Sequence, residues 1–306
     1  MKLLITGATG LVGRRLVQKA LSLGIEIHFL TTSKSKTDSI AGVKGFHWNP
    51  SKAEIDSACF EGVDVVIHLA GASISKLWTS SNKRQIRSSR VDSTRVLHSS
   101  LKQLEPGHQV KQIVAASAIG IYPSDFENTV DEQTLVHPNS FMEEVVISWE
   151  NEVDQFSSLG LGVTKLRIGL VLSPKGGVLG PLKIPTAWGL GAAFGNGKQG
   201  QSWIHIEDVV GLFLAASKEQ WEGVYNAVAP NPVSQTHFIG ALAKALNRPY
   251  FLPPIPKFAL QLIIREMSSL VLDSHWVSAQ KILEKGYLFS FPLVEEAMQD
   301  VVTKKR

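Results

Sequence analysis

The chain has 306 residues, of which 44% are hydrophobic and 19% are charged, a composition typical of a globular protein with a sizeable core. Its net charge is +4, an excess too small to indicate nucleic acid by itself, and the single cysteine, Cys59, excludes a disulfide framework and a cysteine-based zinc site. No stretch reaches the ~18 apolar residues of a membrane span, and the N-terminal residues lack a long apolar segment, so we expect a cytoplasmic protein with no membrane partner.

The first half of the chain alternates predicted strands and helices. Strands rich in Val, Ile and Leu on both faces are typical of a parallel sheet covered by helices. Right-handed crossovers then predict an α/β fold with a Rossmann-like, doubly wound parallel sheet. The predicted strands are residues 2–6, 26–30, 64–69, 110–116 and 162–168, and the predicted helices are residues 11–23, 82–104 and 140–158.

The second half is less regular. Residues 174–200 are rich in glycine and proline and predict a loop-rich span, of which 188–200 is either a lid or a merely flexible loop. We expect residues 1–228 to form the domain with the parallel sheet, with 171–204 contributing to a smaller, mixed lobe formed by 229–306. Further predictions are helices at 206–218, 236–246 and 257–272, the last interrupted by Arg265 and Glu266, a strand at 223–227, and a frayed tail at 304–306.

A glycine-rich turn follows the first predicted strand and opens the first helix. In GATGLVG, glycines recur at spacings of three, which permits a tight turn, lets backbone amides approach a pyrophosphate and lets the helix pack on the strand. A Walker loop is excluded because no Lys-Ser/Thr pair follows. The alternative is a purely structural turn. The predicted cofactor contacts are Gly7, Thr9, Gly10, Leu11, Val12 and Gly13.

The end of the second strand favours NADP over NAD. An NAD site usually has an acid about 20 residues after the glycines, but here the first acid is Asp38. Hydroxyls and the positive charges of Lys34 and Lys36 would suit a 2′-phosphate; the alternative is a solvated loop with incidental lysines. The predicted contacts are Thr31, Thr32, Ser33 and Lys34.

Several motifs together carry a family resemblance. With GATGLVG, these are DVVIHLAG at 64–71, AASAIGIY at 115–122, SWE at 148–150, RIGLVL at 167–172, WIHIEDVV at 203–210 and KILEKGYLFSFP at 281–292. The chain resembles the extended short-chain dehydrogenase/reductases, and among them the atypical "epimerase family" proteins, also labelled SulA-like. The resemblance implies an NADP-binding Rossmann domain with a small C-terminal substrate lobe.

The resemblance also implies individual site residues. It places Leu170 beside the nicotinamide and Thr31 and Thr32 at the adenosine phosphate, where relatives often carry an arginine at the position of Thr32; Lys34 would then substitute. It places Ser117 at the family's catalytic serine. Further implied cofactor contacts are Leu69, Ala70, Gly71, Gln85 and Arg90.

The family's tyrosine–lysine pair is missing. In the family a tyrosine transfers a proton, and a lysine four residues later lowers its pKa. Phe141 lies near the tyrosine position, and Val145 or Val146 near that of the lysine. The four tyrosines, Tyr122, Tyr225, Tyr250 and Tyr287, are followed four residues later by Phe126, Ala229, Pro254 and Phe291.

Other groups are candidates to replace the pair. Ser117 could hold a substrate oxygen or bond only to backbone, and Tyr122 could donate a proton or only pack. Glu150 is either functional or part of a salt bridge, and His205 is more readily explained as structural, beside a helix start that Glu207 and Asp208 stabilise. We expect two of Glu143, Glu144 and Glu150 to be solvated.

We therefore predict an NADP(H)-binding oxidoreductase or epimerase-like protein that acts on a small carbonyl or nucleotide-sugar-like substrate. The alternative is a non-catalytic NADP(H)-binding sensor or scaffold. Scattered histidines predict no metal site, and the expected assembly is a monomer or homodimer. A basic stripe is better explained by cofactor phosphate and solvent than by nucleic acid; it comprises Lys83, Arg84, Arg87 and Arg90.

Overall fold

A computed structural model describes residues 1–304. The strands are β1 Lys2–Thr6, β2 Glu26–Thr31, β3 Lys44–Asn49, β4 Glu54–Ile55, β5 Val65–His68, β6 Gln112–Ala118, β7 Thr129–Val130, β8 Gly162–Ile168, β9 Leu170–Ser173, β10 Gly176–Gly177, β11 Gly200–Gln201, β12 Trp203–His205, β13 Gly223–Ala227, β14 Val233–Ser234 and β15 Trp276–Val277. The helices are α1 Leu11–Ser22, α2 Ser80–Gln103, α3 Phe141–Asp154, α4 Leu179–Ala187, α5 Ile206–Lys218, α6 Gln235–Ala245, α7 Lys257–Ile264, α8 Ser269–Leu272, α9 Gln280–Glu284 and α10 Val294–Thr303.

The main sheet has eight strands in the order β13-β8-β6-β5-β1-β2-β3-β4. Among β1, β2, β3, β5 and β6, adjacent strands pair in parallel, and the edge pair β3–β4 is antiparallel. The chain runs outward from β1 to β4 and then returns to the other side of β1 with β5. This reversal is the switch point of a doubly wound sheet, and it confirms the predicted Rossmann-like α/β fold.

Strand β1 lies at the centre of the sheet because its sequence is a continuous apolar run. Leu3, Leu4 and Ile5 are fully buried, and β1 pairs with a parallel strand on each side. Side chains on both faces of such a strand are covered, which is why the run shows no alternation with polar residues.

The described chain divides into two compact units that interleave along the sequence. The first comprises residues 1–118, 138–166 and 210–224, and the second comprises 119–137, 167–209 and the residues from 225 onward. The predicted substrate lobe of 229–306 with 171–204 lies within the second unit, but that unit also takes in 119–137. The functional division at residue 228 stays a prediction.

Several local features of the structure differ from the sequence predictions, among them the unforeseen strand β9 and helix α10. The strand at 44–49 was not foreseen, and the span 174–200 contains α4, with Pro185 inside it, rather than loop alone. The predicted helix at 257–272 is broken after Ile264, because Arg265 has a φ of 49° and cannot continue a right-handed helix. The predicted frayed tail lies outside the described residues beyond position 304.

The second unit has a core of its own in which α6 packs against α10. Phe238 on α6 is 1% exposed within a cluster that includes Trp203 and Met298. On α7 of the same unit, Phe258 is 73% exposed. The two phenylalanines therefore offer a matched pair for testing this core.

We expect Phe238→Ala to lower the free energy of unfolding by about 3–5 kcal/mol, because it removes a buried ring and leaves a cavity. The control, Phe258→Ala, should change it by no more than about 0.5 kcal/mol. Urea unfolding followed by circular dichroism measures both. Equal effects of the two substitutions would show that α6 is not part of a packed core.

Candidate functional site

The glycine turn lies at the carboxyl end of β1 in close contact with neighbouring backbone. Gly7 has a φ of +68°, and a Cβ placed on it would lie 2.8 Å from the carbonyl oxygen of Leu69. A Cβ on Gly13 would lie 2.2 Å from the carbonyl oxygen of Gly7. Both positions therefore require glycine, since a side chain would push the turn away from α1 or from the loop after β5.

The first turn of α1 is arranged to receive an anion. Its N-cap is Gly10, in extended conformation, and the first turn has neither a side-chain cap nor an acidic residue within the described chain. Helix amides that lack protein acceptors carry partial positive charge, and they suit a phosphate group. The cradle therefore fits the pyrophosphate of a dinucleotide, and contact by Thr9, Leu11 and Val12 stays a prediction.

A buried hydrogen-bond network fixes the loop after β5 against β1. The Thr6 hydroxyl oxygen accepts from the backbone amides of Leu69 and Ala70, each at 3.0 Å. With both lone pairs used, Thr6 must donate its own hydrogen to Nδ1 of His68, at 2.8 Å. The His68 proton then lies on Nε2, which donates to the Thr94 hydroxyl at 3.0 Å.

His68 is a neutral structural residue in this network. Burial, together with the positive charge of Arg90, lowers the pKa of the imidazole from 6.5 to about 3. Its ring is fully buried, and both nitrogens have partners. The sequence placed this histidine in a strand without assigning it a role, because its partner Thr6 is 62 positions away.

Arg90 on α2 lies next to the same loop. Its guanidinium donates to the carbonyl oxygens of Ala72, at 3.2 Å, and Ile86, at 2.9 Å, and it lies 5.2 Å from the ring centre of Trp149. Burial lowers the pKa of Arg90 to about 10, so the group remains charged at neutral pH. A Cβ on Gly71 would lie 3.1 Å from this guanidinium. The structure thus brings Arg90 together with the predicted loop 69–71.

The end of β2 presents polar groups. Thr31 is buried and accepts from the Ser33 amide at 3.3 Å, whereas Thr32 and Lys34 are exposed. Asp38 lies further along and is exposed. Gln85, on α2, is also exposed. The roles of these residues toward a cofactor stay predictions.

Ser117 at the end of β6 belongs to a buried charged cluster. Its hydroxyl donates to Oε1 of Glu150 at 2.5 Å, and the two residues are 4% and 6% exposed. Lys165 Nζ lies 3.6 Å from Oε2 of Glu150 and 2.7 Å from a carboxylate oxygen of Asp154. The hydroxyl of Ser117 therefore bonds to a carboxylate, rather than to backbone alone.

The first half of α3 is apolar at the positions where the family has its pair. Phe141 stacks edge-on against Trp78, with ring centres 5.2 Å apart, and Lys83 Nζ lies 5.0 Å from the Phe141 ring centre. Val145 and Val146 are buried in the core. Glu143 is also buried, where it accepts from the Asn139 amide; contrary to expectation, Glu144 is therefore the only one of the three helix glutamates that is exposed.

Tyr122 in the second unit has a fully occupied hydroxyl. The group donates to Oδ1 of Asn226 at 2.7 Å and accepts from Arg167 at 2.8 Å, and the side chain is fully buried. Burial raises the pKa of the phenol to about 12. These surroundings favour a structural role, and catalysis by Tyr122 stays a prediction.

Other residues of the second unit are structural anchors. His205 accepts from the Glu207 amide at the start of α5, and burial lowers the pKa of its imidazole. Asp208 lies in the first turn of α5, and its carboxylate also accepts hydrogen bonds from the backbone amides of Ser290 and Phe291. Leu170 begins β9, and its predicted approach to a nicotinamide stays a prediction.

The predicted basic stripe on α2 is largely accounted for by contacts within the protein. Arg87 forms an ion pair with Glu144 at 2.7 Å, while Arg90 and Lys83 have the partners described above. Among residues 1–304, no group of His, Cys, Asp and Glu side chains has the arrangement of a metal site. Within the same range, no helix combines the length and apolar character needed to cross a bilayer.

The doubly wound sheet, its glycine turn and the reversal between β1 and β5 define a dinucleotide-binding protein of the Rossmann class. Residues 3–227 match the model of the NAD-dependent epimerase/dehydratase family, and the chain belongs to that family. Residues 255–301 match a domain of unknown function, DUF1731. The family assignment confirms the resemblance and supports a nicotinamide dinucleotide as cofactor.

Full-length relatives carry the epimerase family name. An epimerase family protein of Staphylococcus aureus (strain MRSA252) is 34% identical over 303 residues, covering 98% of this chain and 99% of that protein. Another, from Staphylococcus saprophyticus, is 35% identical over 300 residues, covering 98% of each.

Solved structures share the fold. The human epimerase family protein SDR39U1 (isoform 2), solved with NADPH, has a TM-score of 0.86 and 24% identity over 98% of this chain and 99% of that one. A nucleoside-diphosphate sugar epimerase of Corynebacterium glutamicum has a TM-score of 0.76 and 28% identity, over 97% of this chain and 57% of that one.

The neutral state of His68 predicts a pH dependence of stability. In the unfolded chain its pKa returns to about 6.5, so acid protonates the unfolded state first and stability falls as the pH drops from 6.5 toward 3. Between pH 6 and 5 the loss should be about 1 kcal/mol. His68→Gln should remove this part of the slope in urea titrations, and parallel curves for the two proteins would contradict the assignment.

Proposed function

We propose that this protein is an NADP(H)-binding oxidoreductase or epimerase that acts on a small carbonyl or nucleotide-sugar-like substrate. When bound, the nicotinamide supplies or accepts a hydride. The chain lacks the tyrosine–lysine pair of its wider family, so another residue must donate or accept the proton that accompanies hydride transfer.

The observation that carries the proposal is the glycine cradle. Gly7 and Gly13 lie so close to neighbouring backbone that no side chain fits, and the first turn of α1 offers amides to an anion. The packing at Gly7 and Gly13 holds the helix directly against the strand, and the amides of the first turn then lie where folds of this class bind a pyrophosphate.

The preference for NADP rests on charge at the end of β2. Lys34 and the hydroxyls of Thr32 and Ser33 are the polar groups there, and the first acid of the segment is Asp38. The positive charge of a lysine stabilises a bound 2′-phosphate, whereas the 2′-hydroxyl of NAD usually forms a hydrogen bond to a carboxylate. The human relative of the same fold was solved with NADPH.

Ser117 is the proposed contact for the reacting oxygen of the substrate. It lies at the carboxyl end of β6, beside β5, and ligands of doubly wound sheets bind outside the carboxyl ends of strands near the switch point. The second candidate function, a non-catalytic NADP(H) sensor or scaffold, is favoured by Phe141 near the position of the missing tyrosine and by Val145 or Val146 near that of the lysine.

Cofactor choice can be tested by titrating the chain with NADPH and NADH and following tryptophan fluorescence. We expect tighter binding of NADPH, and we expect Lys34→Ala to weaken NADPH by about tenfold, equal to about 1.4 kcal/mol, while NADH is unaffected. Lys52→Ala, another exposed lysine at a 3₁₀ turn of the same unit, is the control. Equal affinities for both nucleotides would refute the charge argument.

Catalysis can be tested by single-turnover oxidation of bound NADPH across a panel of carbonyl compounds and nucleotide sugars. We expect one class to consume NADPH, and Ser117→Ala to slow the reaction at least about 100-fold. Tyr122→Phe should lower stability by about 1–3 kcal/mol, because it removes the hydrogen bonds to Asn226 and Arg167, and a rate that stays within a few-fold would exclude the phenol as the proton donor. If no compound oxidises NADPH faster than buffer alone does, the proposed enzyme is refuted and the sensor or scaffold function is favoured instead.

A further inference from the structure

Glu150 is a buried carboxylate that the proposed function has not used. Removing a carboxylate from water costs several kcal/mol, and an ion pair in the interior seldom repays that cost. Its oppositely charged neighbour, Lys165, lies nearer to Asp154 (2.7 Å) than to Glu150 (3.6 Å). Lys165 is therefore shared between two carboxylates, and Glu150 is the more distant of them.

Glu150 makes a closer contact with Ser117 than with Lys165. At 2.5 Å it has the length of a hydrogen bond from a hydroxyl to an ionised carboxylate. Because Ser117 donates its only hydrogen to Glu150, the serine oxygen keeps its lone pairs for a donor from outside, such as a substrate hydroxyl. The serine is thus held as an acceptor toward the substrate and as a donor toward the glutamate.

We infer that Glu150 is the proton acceptor behind Ser117, and that the serine–glutamate pair, Ser117 and Glu150, takes the part of the missing tyrosine. This inference rests on the proposed function and names how its site handles protons. Lys165 is then a positioning residue that holds Glu150 and balances its charge, in place of the lysine that normally follows the tyrosine.

The proton and electron balance is complete with the proposed cofactor. As an alcohol becomes a carbonyl, its carbon gives a hydride, with two electrons, to the oxidised nicotinamide. Its hydroxyl proton passes to the oxygen of Ser117 while the serine proton passes to Oε1 of Glu150. In the direction of reduction the same protons return, from Glu150 to Ser117 and from Ser117 to the carbonyl oxygen.

The charged groups nearest to Glu150 are Lys165, whose Nζ lies 3.6 Å away, and Asp154, which shares that lysine. On α2, which packs against α3, Arg90 lies over Trp149. The remaining charged contacts between these helices are paired at the surface: Arg87 with Glu144 and Arg95 with Glu152.

The test compares Glu150→Gln with Glu143→Gln in the full chain. Both substitutions remove the charge of a buried glutamate on α3, but only Glu150 contacts Ser117. We expect both variants to bind NADPH within twofold of the unaltered protein. With the carbonyl that the panel identifies, Glu150→Gln should lower the rate by about 10²–10⁴-fold and abolish its pH dependence, whereas Glu143→Gln should keep both. Glu150→Asp should restore part of the rate.

A second readout does not depend on turnover. In protein labelled with ¹³C at the glutamate carboxyl carbons, the signal lost in Glu150→Gln should titrate within the pH range over which the protein stays folded, and its midpoint should move in Ser117→Ala. Two results would overturn this inference but leave the proposed enzyme intact. One is a carboxyl signal that stays constant over this range, and the other is a Glu150→Gln variant that still oxidises NADPH with an unchanged pH profile. Failure of every compound to consume NADPH overturns the proposed enzyme and the inference together.

Discussion

The hydrogen bond between Thr6 and His68 is the constraint on which the candidate site depends. It joins the carboxyl ends of β1 and β5, the two strands at the switch point, and it leaves the Thr6 oxygen free to hold the amides of Leu69 and Ala70. Gly7, the next residue, then packs directly on the Leu69 carbonyl. A neutral imidazole is essential to this arrangement, because a protonated one could not accept from threonine.

The chain lacks the tyrosine–lysine pair that its family resemblance leads one to expect on α3. By the resemblance, Phe141 lies near the position of the tyrosine and Val145 or Val146 near that of the lysine; Phe141 packs against Trp78, and both valines are buried. Polar groups lie in the protein interior instead, where Ser117, Glu150 and Lys165 are buried together. Membership of the epimerase/dehydratase family therefore does not identify the residues that transfer the proton in this chain. The buried cluster of Ser117, Glu150 and Lys165 provides candidates for that role.

Sequence reasoning succeeded where the information is local. The strand 2–6 and the glycines after it follow from a short apolar run and a fixed spacing, so both could be predicted. It did not find the strand at 44–49, since only Phe46 and Trp48 of its six residues are fully apolar and buried. Nor could it pair Ser117 with Glu150, 33 positions later, because α3 rotation and strand order decide which side chains meet.

The interleaving of the two units has a consequence for how this chain can evolve or be engineered. It passes from one unit to the other after residues 118, 137, 166, 209 and 224. A gene fragment that stops at residue 228 would keep 119–137 and 167–209 but lose most of the segment with which they form a unit. Swapping the carboxyl-terminal region between relatives therefore replaces only part of a unit, and viable chimeras need compensating exchanges at the earlier segments.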